Sequence, residues 1–304
     1  MSVRDTSALA ISNKIGDDAP LAVARHRPIG LFWIRFRRNK PAIVGGVIIA
    51  IMVLTALFSA LLSPYNPATQ DYSHLVQPPG GGHLLGTDDL GRDVLSRIIY
   101  GARVSVASSI VPVAIALGVG VPLGLIAGFY RGFLDGWLIM RVVDAMQAFP
   151  FLILALALAS VLGAGFWNAM IAIGIGFIPA FIRIVRGQVL AVSTLEYIEA
   201  ARALGVGNAR ILRSHVLPNA LGPLLVQTSI ASASAILAEA GLAFLGVGVE
   251  PGTPSWGQML TVSQSYINSA PWLAVWPGIA IFLAVLGFNL LGDGIREGLD
   301  PRLG

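Results

Sequence analysis

Residues 104–130 read VSVASSIVPVAIALGVGVPLGLIAGFY and contain no Asp, Glu, Lys or Arg. A helix that crosses the hydrocarbon core of a bilayer needs about 20 mainly apolar residues, because each residue adds about 1.5 Å along a path of about 30 Å. Residues 41–70 and 251–292 are also free of charged side chains. Three segments of this kind predict an integral membrane protein built from helices.

The composition of the whole chain agrees with a membrane environment. Of its 304 residues, 55% are apolar and 12% are charged, whereas soluble domains contain about 25% charged residues. Two longer apolar tracts divide at Gly, Pro or polar positions, so the chain is predicted to be an all-α integral membrane protein with six transmembrane helices. The expected spans lie near residues 42–62, 104–130, 136–161, 167–187, 221–247 and 272–292.

The distribution of basic residues predicts the orientation. If the N-terminus is cytoplasmic, sixteen of the twenty Lys and Arg residues lie on that side, three lie outside and Arg141 lies within a span. Basic residues accumulate on the cytoplasmic side of membrane proteins, so both termini are expected in the cytoplasm. This placement accounts for the net charge of +4 without a nucleic-acid partner.

The chain is expected to have two parts. Residues 1–41 lack the apolar region of a signal peptide and are interpreted as a cytoplasmic N-terminal tail. The basic residues at the end of this tail are expected to anchor the topology at anionic membrane lipid. Residues 42–304 are expected to form the six-helix transmembrane domain.

Two connections between the spans exceed ordinary loop length, which is typical of functional or disordered segments. One is external, at about residues 63–103, and the other is internal, at about residues 188–220. In the internal loop, Ser193 and Glu196 fit a capping box that begins a helix. Gly205 fits the residue that follows the end of that helix.

The rest of the internal loop predicts a second short helix. Asn208 is expected to cap it, and Pro218 is expected to end or kink it near Leu217. Two short helices joined by a glycine-containing turn form a surface that a soluble partner could grip. The alternative is a plain connector that lies on the lipid headgroups.

The sequence excludes several catalytic chemistries. A P-loop needs a lysine to reach nucleotide phosphates, and the only lysines are Lys14 and Lys40, neither in a strand-loop-helix context. The four histidines are dispersed, there is no cysteine, and no Ser/His dyad or pair of intramembrane aspartates is present. We therefore expect no catalytic residue, no cofactor bound by this chain and no enzymatic activity.

A metal site is not expected either. The three aspartates of the external loop miss the spacing of a calcium loop, and Arg92 and Arg97 lie close enough to neutralise them. These aspartates are Asp88, Asp89 and Asp93.

Charged residues within the spans mark candidate functional positions, because burying a charge in a bilayer is costly. Arg141 and Asp144 stand three residues apart and are expected to pair on one helix face. Glu239 has no basic neighbour in its own span, and it is expected either to line a translocation path or to form an interhelical hydrogen bond. The other path candidates on that span are Gln227, Ser229 and Ser234.

The intramembrane carboxylates also support an alternative function. An ion-gradient-driven secondary transporter could move protons through Asp144 or Glu239. A different feature, the recurrence of Gly120, Gly124 and Gly128 at every fourth residue, predicts a face on which two helices approach closely.

One stretch of the internal loop resembles a known motif. Glu199-Ala200-Ala201-Arg202-Ala203-Leu204-Gly205, followed after nine residues by His215-Val216-Leu217-Pro218, resembles the EAA motif of ABC-importer permeases. The blocks at 85–93, 244–257 and 289–302 are similar to those of the dipeptide/oligopeptide/nickel import branch, and of its second permease subunit type.

This resemblance implies a type I ABC-importer permease fold with a cytoplasmic coupling-helix loop, in the inner membrane of a bacterium. It also implies a second homologous permease subunit, one or two cytoplasmic ATPase subunits that hydrolyse ATP, and an external, periplasmic substrate-binding protein. The cargo it implies is a peptide, and dipeptides, oligopeptides, glutathione-like compounds and nickel chelates all belong to the branch. The residues it implies for contact with the ATPase are Glu199, Ala200, Ala201, Gly205, Leu217 and Pro218.

Overall fold

A computed structural model describes residues 36–37, 39–130, 132, 138–250 and 252–299. Within these residues the regular structure is helical, apart from two isolated β-bridges in the segment 63–93. Most of the predicted tail at 1–41 lies outside the described residues. The all-α fold expected from the charge-free runs is confirmed.

Eleven α-helices follow one another along the described part of the chain. They are α1 (Lys40–Leu57), α2 (Ser59–Leu62), α3 (Val94–Phe129), α4 (Met140–Gln147), α5 (Phe151–Leu162), α6 (Phe166–Val192), α7 (Glu196–Ala203), α8 (Asn208–Ile211), α9 (Leu217–Phe244), α10 (Trp256–Ser263) and α11 (Trp272–Leu299). A π-helical segment, Leu212–Val216, joins α8 to α9, and a short 3-10 turn, Gln264–Tyr266, follows α10.

Five helical units are long and apolar enough to cross a membrane: α1, α3, α6, the continuous stretch from α8 to α9, and α11. The predicted third span, near 136–161, is divided. Its halves, α4 and α5, are bent by 99° at the break between them. Pro150 precedes α5, and a proline has no N–H with which to continue the hydrogen bonds of α4. Counted as one broken span, the pair brings the total to six.

The most extensive helix contact among the described residues joins α3 to α6 along the predicted glycine face. A Cβ placed on Gly124 would lie 2.7 Å from the Val185 Cβ, and one on Gly128 would lie 2.5 Å from the Val189 Cβ. Gly120 meets α6 in the same way one turn earlier. Because side chains at these positions would collide with α6, the glycines permit close backbone approach, and the predicted packing face is confirmed.

The segment 63–93 and the start of α3 form a polar unit opposite the α7 end of the bundle. Arg92 Nε donates to Asp88 Oδ2 at 2.7 Å, and Arg97 Nε lies 3.3 Å from the same oxygen. Arg97 is buried and donates to the carbonyl of Pro67. The predicted neutralisation by the two arginines is confirmed for Asp88 and Asp89, whereas Asp93 bonds to His83 and Ser96 instead. The Asp93 carboxylate caps α3 by accepting from the Ser96 N–H at 2.8 Å. The helix therefore begins at Val94 rather than near residue 104, and the external loop is correspondingly shorter.

Candidate coupling loop and translocation face

Residues 193–207, with α7 at their centre, connect α6 to α8. Ile198, on one face of α7, is fully buried, together with Ile211 and Val216 from the segments that follow. The opposite face is exposed, and Leu204 at its end keeps 84% of its surface accessible. An apolar anchor on one side and an exposed ridge on the other make this loop a fixed projection from the bundle.

A Schellman turn ends α7 at Gly205. The Gly205 N–H donates to the Arg202 carbonyl at 2.9 Å, and the Val206 N–H donates to the Ala201 carbonyl at 3.0 Å. Gly205 has a φ of +76°, a backbone conformation that residues with a Cβ adopt only with strain. The predicted helix stop at Gly205 is confirmed.

The start of α7 differs from the predicted capping box. Leu195 occupies the N-cap position, no side chain caps the helix, and Glu196 is its first residue. The Ser193 N–H bonds to the Val189 carbonyl at the end of α6, and its hydroxyl is buried without a hydrogen-bond partner. The prediction was wrong because α6 continues to Val192, so Ser193 ends one helix instead of beginning the next.

The predicted second short helix is not a separate element. Asn208 is the first residue of α8 and Gly207 is its N-cap, so Asn208 does not cap it. Pro218 does not end the helix; the chain passes through the π segment into α9, where Pro218 lies in the first turn. The wider π turn accommodates the missing proline N–H. The side chain of Asn219 donates to the His215 carbonyl at 2.6 Å.

The α7 projection contacts two different parts of the bundle. The guanidinium carbon of Arg202 lies 5.5 Å from the centre of the Phe129 ring, at the end of α3. The rings of Tyr197 and His215, the latter in the π segment, are 5.9 Å apart. Side-chain contacts therefore join α7 both to α3 and to the π segment that leads into α9.

The residues predicted to contact an ATPase occupy two sites on this surface. Glu199, Ala200 and Gly205 are exposed on α7 and its turn, and Ala201 is half-buried there. Leu217, half-buried, and Pro218, exposed, begin α9.

The four path candidates on α9 do not share one surface. Ser229 is buried against α11, where a Cβ on Gly292 would lie 2.9 Å from the Ser229 Cβ. Ser234 and Gln227 are half-buried. Glu239 is 1% exposed, so it faces the interior of this chain.

The surroundings of Glu239 lie between α9 and α10. Gly257 of α10 packs directly on Ala240, where an added Cβ would approach the Ala240 Cα to 2.6 Å. The Ser255 hydroxyl is the polar group that neighbours the Glu239 carboxyl, and Glu239 Oε1 has no hydrogen-bond partner. Glu239 therefore lies at the contact between these two helices.

Gln227 lies in a cleft of about 860 Å³ at the α7 end of the bundle, between α6, α9 and α11. Gln188 of α6, Asn219 of α9 and Arg296 of α11 also line it. The cleft begins beside Pro218, close to the α7 projection.

The predicted pair between Arg141 and Asp144 is replaced by another pair. Arg183 Nη2 of α6 donates to Asp144 Oδ1 of α4 at 2.6 Å. The bend between α4 and α5 brings Asp144 against α6, which the spacing along one helix does not reveal.

The sequence model of the "binding-protein-dependent transport system inner membrane component" family matches residues 120–304, which include the α7 loop, α9 and α11. The chain belongs to this family. A second model, the "N-terminal TM domain of oligopeptide transport permease C", matches residues 27–79 of the permease. The family is one of transport permeases and not of enzymes, as the sequence predicted.

Curated relatives match the permease over most of its length. It is 45% identical over 269 residues to a "dipeptide transport system permease protein DppC" of Alkalihalophilus pseudofirmus, covering 88% of both chains. It is 42% identical over 273 residues to a "glutathione transport system permease protein GsiD" of Pectobacterium atrosepticum, covering 90% of both chains. A "di/tripeptide transport system permease protein DppC" of Pseudomonas aeruginosa is 45% identical over 282 residues, covering 91% of this chain and 93% of that one.

A solved structure shares the fold of the permease. It shows inward-facing conformations of the MetNI methionine ABC transporter, with a TM-score of 0.56 and 21% identity, covering 67% of this chain and 96% of that chain. The predicted fold, that of a type I ABC-importer permease, is confirmed. The multi-pass membrane location follows from the family and the apolar helices.

Three polar residues of these sites were not predicted from the sequence: Arg183 of the ion pair with Asp144, and Gln188 and Arg296 of the cleft. Arg183 carried a signal, since it is a charge within an apolar helix, but it had been assigned to the cytoplasmic side. Gln188 and Arg296 carried none, because only the packing of α6, α9 and α11 brings them to one cleft.

Proposed function

We propose that this permease is one of two homologous permease subunits of an ATP-driven, binding-protein-dependent peptide importer, and that it forms half of the translocation path by alternating access. The relatives named for dipeptides, di/tripeptides and glutathione support the peptide class. The observation that carries the proposal is the exposed, rigidly terminated α7 projection, in a chain without the lysine of a P-loop.

The proposed complex has parts on both sides of the membrane. One or two ATPase subunits bind α7 in the cytoplasm and hydrolyse ATP, and a periplasmic binding protein delivers the cargo from outside. This chain itself holds no nucleotide. Its two termini lie in the cytoplasm of a bacterial cell whose inner membrane it crosses, and residues 1–41 form the tail that precedes the transmembrane domain at 42–304.

The coupling step proceeds through the exposed part of α7. Glu199, Ala200, Ala201 and Gly205 contact the ATPase, and the closing ATPases displace α7 as a unit because buried Ile198 anchors it. The contact between Arg202 and Phe129 transmits this displacement to α3.

A second route leads into the helix that lines the path. The Tyr197–His215 contact and the π segment transmit the displacement to α9, where Leu217 and Pro218 form the first turn. Binding of ATP that favours one of two arrangements shifts the permease pair toward it. All four proposed path residues, Gln227, Ser229, Ser234 and Glu239, lie on α9 and move with it. Gln227 and Ser234 are partly exposed and are the ones that can reach the path, whereas Ser229 and Glu239 are buried against neighbouring helices of this chain.

The comparisons give no support to the ion-gradient-driven alternative. Asp144, one of its two proposed proton carriers, is engaged by Arg183. The other, Glu239, is closed off between helices.

Crosslinking tests the proposal directly, and the absence of native cysteine makes single-cysteine variants unambiguous. In the assembled complex, a Leu204→Cys variant treated with a thiol-to-amine crosslinker is expected to capture an ATPase subunit. Leu84→Cys, similarly exposed in the segment 63–93, is the control and is expected to capture none. Labelling of Leu204→Cys in intact cells by a membrane-impermeant maleimide would refute the proposal.

A further inference from the structure

The cleft between α6, α9 and α11 has the size and position of a binding site. Its volume of about 860 Å³ lies within the range of about 300–1,000 Å³ found for small-molecule sites. It is lined by Gln188, Asn219, Gln227 and Arg296, together with apolar residues and the side-chain-free Gly222. We refer to it as the carboxamide cleft.

The side chains of the carboxamide cleft match the groups of a short peptide. The carboxamides of Gln188 and Gln227 offer both donors and acceptors, as peptide groups do, and that of Asn219 offers an acceptor. Arg296 supplies a guanidinium, whose fork of donors fits a carboxylate with two parallel hydrogen bonds. Among the described residues that line the cleft there is no acidic side chain, so its charge is positive and complementary to the C-terminal carboxylate of a peptide.

The main chain adds a further acceptor. Pro223 has no N–H, so the carbonyl of Asn219, four residues earlier, lacks its usual helical donor. Both residues line the cleft. The Asn219 side chain uses its N–H₂ group on the His215 carbonyl, which leaves its Oδ1 as an acceptor. A free acceptor beside a guanidinium suits a ligand that carries an N–H and a carboxylate at one end.

From this chemistry we propose that the carboxamide cleft is the inner cargo site of the permease, where Arg296 receives the C-terminal carboxylate of a peptide and the carboxamides receive its last amide groups. The inference rests on the proposed function, because it takes the α7 end as the cytoplasmic end. Pro218 lines the cleft and begins α9, so movement of α7 changes the cleft during transport.

Photocrosslinking in the reconstituted full complex tests this site. p-Benzoylphenylalanine replaces Val226, which lines the cleft, or Leu225, the neighbouring residue that is exposed on α9 outside the cleft. Tritiated Ala-Phe and tritiated glutathione are supplied with the binding protein and ATP. We expect several-fold more label on the Val226 variant than on the Leu225 variant. Arg296→Gln is expected to lower that label about tenfold, and Arg296→Lys, which keeps the charge but loses the bidentate fork, is expected to give an intermediate label.

Three results would overturn the cargo site. They are equal label at both positions, label that is unchanged by Arg296→Gln, and crosslinks from Val226 to phospholipid in place of peptide. ATP-driven uptake measured in the same vesicles keeps the proposed function intact in all these cases. If the wild-type complex takes up neither compound, the peptide class itself is rejected, and the cargo site with it.

Discussion

Arg183 of α6 and Asp144 of α4 form an ion pair at 2.6 Å that ties the short arm of the bent helix pair to α6. The side chains of both residues remain about half exposed, at 48% and 56%. Arg183 lies about two and a half turns before the end of α6, within an apolar helix. Because a charged side chain that faces lipid is costly, this surface must meet either water or another subunit.

We predict that the ion pair between Asp144 and Arg183 contributes to transport through its charges. Asp144→Asn or Arg183→Gln is expected to lower ATP-driven uptake, and the loss of an interhelical hydrogen bond of this kind costs about 1 kcal/mol. The exchanged pair Asp144→Arg with Arg183→Asp is expected to restore part of the uptake. Arg141→Gln is the control and should behave like the wild type; an equal loss from Arg141→Gln would contradict the observed pairing.

We predict that the turn after α7 requires glycine at position 205, because of its backbone conformation. Gly205→Val forces a β-branched residue to a φ of +76°, at a cost of about 2 kcal/mol, and is expected to abolish uptake while the protein still reaches the membrane. Gly207→Val is the matched control, since Gly207 lies two residues away with a φ of −63° and open space around it. Uptake and immunoblots of membranes measure both effects; normal uptake by Gly205→Val would count against a rigid coupling turn.

We predict that the close packing of α3 on α6 requires a residue without a side chain at position 124. In Gly124→Leu the new Cβ meets Val185, and overpacking of this kind costs about 1–3 kcal/mol. Thermal unfolding in detergent is expected at a lower temperature than for the wild type. Gly118→Leu, on the same helix with nothing near its added Cβ, should unfold like the wild type. Equal effects of the two substitutions would rule out the close α3–α6 contact.

We predict that Asp88 stabilises the segment 63–93. Asp88→Asn leaves the buried Arg97 without its charged partner, and removing one member of a buried pair costs about 3 kcal/mol. Asp89→Asn, whose carboxylate is more exposed and 3.4 Å from Arg92, should cost less than about 1 kcal/mol. Thermal unfolding of the two variants gives the ranking, and the reverse order would contradict the described network.

We predict that the local structure around Asp71, in the same segment, depends on pH. Hydrogen bonds from the Ser73 side chain, the His74 side chain and the Ser73 N–H lower the pKa of Asp71 from 3.8 to about 2. A carboxyl group whose pKa is lower in the folded state stabilises the fold above its unfolded pKa, and this contribution is lost as the pH falls from about 4 to 2. The protection factor of the Ser73 amide, which corrects for the intrinsic pH dependence of hydrogen exchange, should fall as the pH drops over that interval. Asp71→Asn should remove this change; an unchanged protection profile in the variant would disprove the assignment.

The transmembrane architecture could be predicted because hydrocarbon imposes a requirement on composition that is visible in a linear sequence. The charge-free run at 104–130 is such a case. The glycine face of α3 and the stop at Gly205 were predictable for a related reason, since both depend on the absence of a Cβ. Local backbone chemistry of this kind needs no knowledge of distant residues.

The features that were not predicted depend on residues far apart in the chain. Arg97, in the first turn of α3, is buried beside Asp88 and donates to the carbonyl of Pro67, 30 residues away. The partner of Asp144 is 39 residues away. The carboxamide cleft exists only after three helices pack together. The sequence singled out Gln227 among its polar residues, but not Gln188, Asn219 or Arg296.

Uptake by reconstituted vesicles tests most directly whether an ATPase drives transport through the α7 projection. Reconstituted vesicles that contain this permease alone, or the complete complex with its second permease, ATPases and binding protein, are compared for uptake of labelled peptide. We expect uptake only by the complete complex, only with ATP, and without loss when a protonophore collapses the ion gradient. Uptake by this chain alone, driven by a proton gradient in the absence of ATP, would contradict this mechanism.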